Sequence, residues 1–163
     1  MKGFIYAAVI SSALISINSA CALDMQPGEW KMENTQMHVV DKASGKVVMD
    51  QKNSGVATLI CYTPKMAEDS KKITKGYSTS ANGCTTTFTE SSDSKTVNDT
   101  VCTVGTTKTN SHVEMNKVSD TEFAMTMKMD VDSPETKMET TQTIKQTFVG
   151  KDCSAASKAT VKP

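Results

Sequence analysis

Between Glu122 and Val131 apolar and polar side chains alternate without a break. Phe123, Met125, Met127, Met129 and Val131 fall on one side, and Glu122, Ala124, Thr126, Lys128 and Asp130 on the other. A period of two is the pattern of a strand with one buried face. Comparable stretches run from Trp30 to Val40, Val47 to Cys61, Cys84 to Ser91, Lys95 to Val104, Thr107 to Val118 and Thr136 to Val149. In the first of these, Trp30 and Met32 are out of phase with Met37 and Val39, which predicts a bulge between them. The second is interrupted near Asn53-Ser54-Gly55. Turn residues separate the stretches at Ser44-Gly45, Ser92-Asp93-Ser94, Ser119-Asp120 and Asp132-Ser133-Pro134. The pattern predicts a mainly β protein. About seven antiparallel strands form a meander, and twist curls a sheet of that size into a strongly curved sheet or partly closed barrel. A two-sheet sandwich is the alternative.

One stretch breaks the β pattern. Thr63 is a suitable helix N-cap, Pro64 suits the first helical position, and Ala67, Glu68 and Asp69 continue a turn or two. A short helix is therefore expected over Pro64 to about Ile73. Lys75 to Gly83, rich in Gly, Ser and Asn, reads as loop. In the last strand Met138, Ile144 and Phe148 share a face with Thr140, Gln142 and Gln146. Such a mixed face lines either a wet cavity or an open sheet.

The N-terminus reads as an address. Lys2 precedes an apolar run from Phe4 to Ile17, and Ala20-Cys21-Ala22 is a small-x-small cleavage box. Residues 1–22 are read as a signal peptide, 23–153 as a single β-rich domain, and 154–163 as a flexible tail. The apolar run is short for a membrane span, which needs about 20 residues. A lipoprotein site at Cys21 is disfavoured because Asn18 stands where Leu is normally required. Export to the periplasm or beyond follows.

Cleavage leaves four of the five cysteines, and an even number in an exported chain suggests two disulfides. No close C-x-x-C pair supports zinc. Cys84 and Cys102 are symmetric about Asp93, so a three-residue turn centred there places them directly opposite. Cys61 ends one strand and Cys153 follows the last. Cys84–Cys102 with Cys61–Cys153 is thus the preferred pairing, and Cys61–Cys84 with Cys102–Cys153 the alternative.

Composition narrows the function classes. The chain has 163 residues, 18 basic and 18 acidic groups, and 5% aromatic residues. Every basic residue is Lys. Without Arg there is no bidentate fork for phosphate or guanine, and few rings are available to stack on bases. Nucleic-acid binding is excluded on these grounds. The two histidines, His38 and His112, lie far apart, and no G-x-S-x-G elbow exists. No catalytic constellation is found, and the chain is read as a non-enzyme.

Two chemistries remain. The mixed face around Gln142 and Gln146, with Trp30 near its mouth, is a candidate surface for a small hydrophobic ligand or an envelope protein partner. Alternatively, the thioethers of Met125, Met127 and Met129 suit Cu(I), a soft metal. The bland reading of the same Met run is strand core, because Met fills gaps well.

The motifs together resemble a bacterial envelope family, domain-of-unknown-function family 3617. Pro27-Gly28-Glu29-Trp30 follows the signal peptide at once. Cys61-Tyr62-Thr63-Pro64 precedes the helix. Spaced Cys84 and Cys102, the Met-rich strand and a closing Gly150-Lys151-Asp152-Cys153 complete the likeness. It implies a small β-rich exported protein and brings no ligand, cofactor or catalytic residue with it.

Overall fold

The structure is a computed structural model that describes residues 23–53 and 57–160. The expected signal peptide, Cys21 and the Ser54-Gly55 interruption lie outside the described residues. Among the described residues the fold is mainly β, with nine strands in one open antiparallel sheet and two short helices. The strands are β1 (Gly28–Asp41), β2 (Lys46–Lys52), β3 (Ala57–Tyr62), β4 (Ser78–Ala81), β5 (Cys84–Ser91), β6 (Lys95–Val104), β7 (Thr107–Ser119), β8 (Glu122–Asp132) and β9 (Lys137–Gly150). Helix α1 (Pro64–Ser70) follows β3, and α2 (Ala155–Thr160) follows β9. The order across the sheet is β2-β1-β9-β8-β7-β6-β5-β4, with β3 also paired to β1. The two-sheet sandwich is not formed.

Nine strands replace the expected seven for two reasons. The Val47 to Cys61 stretch is two strands: β2 pairs with the far half of β1 and β3 with its near half. The break between them lies level with a bulge in β1 between Asn34 and Gln36, the phase change anticipated from the Trp30 and Met37 sets. Asn53 donates its backbone N–H to Thr35 O at 2.9 Å there. The second reason is β4, which occupies part of the expected loop. Asn82 and Gly83 both have positive φ and close the β4–β5 hairpin. Asn-Gly is the strongest short hairpin signal in a sequence, so this strand was legible.

Helix α1 starts as its sequence suggests. The Thr63 side chain accepts from Met66 N at 3.2 Å, and Pro64 opens the first turn. It ends at Ser70, earlier than Ile73. The expected flexible tail instead carries α2, capped by Ser154, whose hydroxyl accepts from Ser157 N at 3.2 Å. A six-residue helix has too few turns to show apolar periodicity, so only the Ser-x-x-Ser pattern hinted at it.

One face of the sheet is buried. On β8 it carries Phe123, Met125, Met127, Met129 and Val131, as the alternation predicts. Trp30, Ile144, Val113 and Met115 from neighbouring strands join Phe123 and Met125 in the core. Among the described residues, only α1 and the segment before β1 add side chains to this cluster from outside the sheet, through Leu23, Met25, Ala67 and Met66. A single sheet with so little cover must curl around its own face, so the buried face is the concave one.

Candidate functional site

The concave face is ordered by register. Across β1, β9, β8 and β7, Met37 lies beside Gln142, Gln142 beside Met127, and Met127 beside Val113. One step along, Asn34, Ile144, Met125 and Met115 form the next row, and Met32, Gln146 and Phe123 the one after. Trp30 packs between Phe123 and Phe148, with both ring centroids 5.3 Å away. Its indole Nε1–H donates to Gln26 O at 3.0 Å, so the one tryptophan is tied to the segment that precedes β1.

The three expected ligand-face residues are all on this face, and all are covered. Trp30 and Gln142 are each only 1% exposed, and Gln146 is also buried. Gln142 donates its amide to Asn34 Oδ1, which satisfies a polar group that would be costly to bury alone. The Thr96 hydroxyl, buried on the same face opposite Met115, has no hydrogen-bond partner. Met125, Met127 and Met129 are buried as well, with Met115 directly opposite Met125. Among the described residues no group of three or more His, Cys, Asp or Glu side chains could hold a metal.

Sequence reasoning missed the segment that closes the mouth. Leu23 and Met25 insert into the core at the α1 end, and Ala67 meets them from α1. An Asp24–Lys71 ion pair at 3.2 Å joins segment and helix. Two grooves of about 410 Å³ each flank this pair. One is lined by Met25, Pro27, Pro64 and Ala67 together with Asp24, Gln26, Glu68 and Lys71. The other is lined by Asp24, Lys71, Asp93 and Lys117. Leu23 and Met25 carried no readable signal, because two apolar residues beside an export segment show no period of their own.

Both disulfides join the preferred pairs. Cys84–Cys102 links residues directly opposite in the β5–β6 hairpin. The turn between these strands is shorter than the expected three-residue turn centred on Asp93. The Ser92 N–H donates to Lys95 O, so the turn encloses two residues instead of three. A bulge between Phe88 and Glu90 then shifts the register by one and restores Cys84 to its place opposite Cys102. Cys61–Cys153 reaches across a strand. Cys61 and Gly150 both neighbour Glu29, on opposite sides of β1, so the chain beyond β9 must cross β1 to reach Cys61. It does so over Gly28, whose φ is +143° and where a Cβ would collide with the carbonyl oxygen of Gly150. The Glu29 carboxylate then accepts from Ser154 N at 2.9 Å. Hydrogen bonds from the Ser154 side chain and backbone and the Ser157 hydroxyl hold its carboxyl below the usual range, against a smaller opposing effect of burial.

Each histidine faces an aspartate across a strand pair. His112 Nδ1 lies 2.7 Å from Asp99, and His38 Nδ1 lies 3.7 Å from Asp50. Both pairs are solvent-accessible and sit on the outer face. No described helix is long and apolar enough to cross a membrane.

A curled antiparallel sheet with one filled face, two disulfides and a short segment sealing its mouth defines a small β-sheet class of protein. The comparisons place it more closely. Residues 25–153 match the family described as "Protein of unknown function (DUF3617)", and the chain belongs to that family. It is similar to the "Uncharacterized protein YtgA" of Salmonella typhimurium, at 59% identity over 97% of this chain and 98% of the relative. The protein of the same description in Salmonella typhi matches equally well. No solved structure matches.

Proposed function

We propose that this is a non-catalytic binding protein of the bacterial periplasm that takes the apolar part of a small ligand at the mouth of its curled sheet. The supporting observation is that a 410 Å³ groove at the mouth has core residues in its wall. Met25 and Ala67 line it and also belong to the core cluster. Leu23 and Met25 thus occupy the place an incoming alkyl chain would fill. Displacing them gives access to Trp30 and, deeper, to Gln146 and Gln142. Two disulfides and an export-like leader support an oxidising compartment. Trp30 is a built-in reporter, since its indole is bonded to Gln26 beside the groove.

The test is titration of the mature protein with decanol and, separately, decanoate, following tryptophan emission. A saturable change is expected, and it should disappear in Ala67→Phe, which fills the groove while the far-UV signal stays unchanged. Absence of any change in emission, together with no heat in calorimetry, sinks the reading. A second reading is Cu(I) held by Met125, Met127 and Met129, favoured by the Met115–Met125 opposition, which brings a fourth thioether to the same rows. Competition with a Cu(I) chelator tests it, and affinity weaker than micromolar removes it.

A further inference from the structure

An open sheet has two edges, and this one treats them differently. The β4 edge is four residues of Ser, Thr and Ala. On the other side the edge is shared by β3 and β2. Helix α2 packs against β3, and the Cys61–Cys153 bridge fastens the chain end there. Among the described residues strand β2 has no such cover, and all seven of its residues are exposed. At its centre Val47, Val48 and Met49 are 56%, 49% and 39% exposed. An uncovered edge with central apolar residues is a template for strand addition.

We propose that β2 pairs with β2 of a second copy of this chain, antiparallel and centred on Val48. The charge pattern selects this occupant and this register. Centred on Val48, Lys46 of each copy faces Asp50 of the other, Val47 faces Met49, and Val48 faces itself. Two-fold symmetry forms the Lys46–Asp50 pair twice. Centring one residue later sets Lys46 against Lys52, which repels, and one residue earlier loses both ion pairs. Val48 also has no register partner on β1, because the ladder shifts between Val39 and Val40. The same irregularity and the flanking lysines limit edge pairing. The contact is one short strand pair, so the dimer is weak, with a dissociation constant on the order of micromolar. This surface is remote in the fold from the α1 mouth and independent of the ligand reading.

Sedimentation equilibrium of the mature protein, from about 1 to 500 μM, reads the dissociation constant. Lys46→Asp and Asp50→Lys are each expected to weaken dimerisation about tenfold or more, because two attractive pairs become repulsive. The double variant restores it. Val48→Cys is expected to give a covalent dimer under mild oxidation, whereas Val104→Cys, at a more exposed valine on β6, is not. Circular dichroism confirms that each variant folds. A protein that stays monomeric throughout, or a dimer that ignores both charge reversals, overturns the proposal.

Discussion

The two halves of the concave face are built from different side chains. Around β1, β9 and β8 it holds Trp30, Phe123, Met125 and Ile144, packed ring against ring and thioether. Around β5 and β6 it holds Thr86, Thr100, Asn98 and the Cys84–Cys102 bridge, with Phe88 as the one large buried side chain on β5. The first half is stabilised by removing large apolar surfaces from water, roughly 25 cal/mol per Å². The second has little such surface. There the sheet is held by its ladder, by the Thr86–Thr100 hydroxyl contact at 2.8 Å and by a bridge within the same hairpin. A chain short of large side chains has concentrated them around β1, β9 and β8.

The largest expected effect tests that contrast. Phe123→Ala should cost about 3–5 kcal/mol in urea unfolding, as buried Phe truncations do. Thr100→Ala, in the other half, should cost about 0.5–1.5 kcal/mol, the value of one hydrogen bond. Equal losses at the two positions break the comparison.

The disulfides sharpen it further. Cys61–Cys153 closes a separation of 92 residues and Cys84–Cys102 one of 18. Loop-closure entropy scales with the logarithm of that separation, so the first should stabilise by about 1.4 kcal/mol more than the second. Replacing each pair by serines and comparing denaturation midpoints checks this. A larger loss from the hairpin pair would mean that the hydroxyl half depends on its bridge for more than entropy.

The smallest effect concerns Glu29. Its carboxyl is held low by the Ser154 and Ser157 hydrogen bonds, so the folded state favours the ionised form. That contribution is complete above the unfolded value, about 4.3, and is lost as pH falls through the lower folded value. Wild-type stability should therefore decline toward acid more steeply than that of Glu29→Gln. Parallel midpoints from about pH 6 to pH 3 for the two proteins would contradict the role given to this clasp.

Much of this architecture was legible. The β8 alternation named the buried residues one by one, Thr63-Pro64 announced α1, and the phase change in β1 marked a bulge. Other elements escaped. Strand β4 was passed over despite Asn82-Gly83, because its Ser and Thr residues lack apolar alternation. The Cys84–Cys102 opposition was reached through a turn one residue too long, compensated by a bulge the sequence does not mark. Gln142, Gln146 and Trp30 were placed on the correct face, but their cover was not foreseen. Leu23 and Met25 lie far in the chain from the two glutamines, and beside Trp30 they show no period of their own.

What the sequence alone determined is local. Period-two patterning decides which face of each strand meets the core, and a cap or turn residue acts over three or four positions. Parity along a hairpin brings its cysteines opposite. What only the tertiary structure decided is the closure of that face: which segment seals the mouth, how β9 crosses Gly28 to reach Cys61, and which edge strand is left uncovered. Those outcomes depend on sheet curvature and on contacts between residues nearly a hundred positions apart. Such contacts leave no period in the chain, because each is made once.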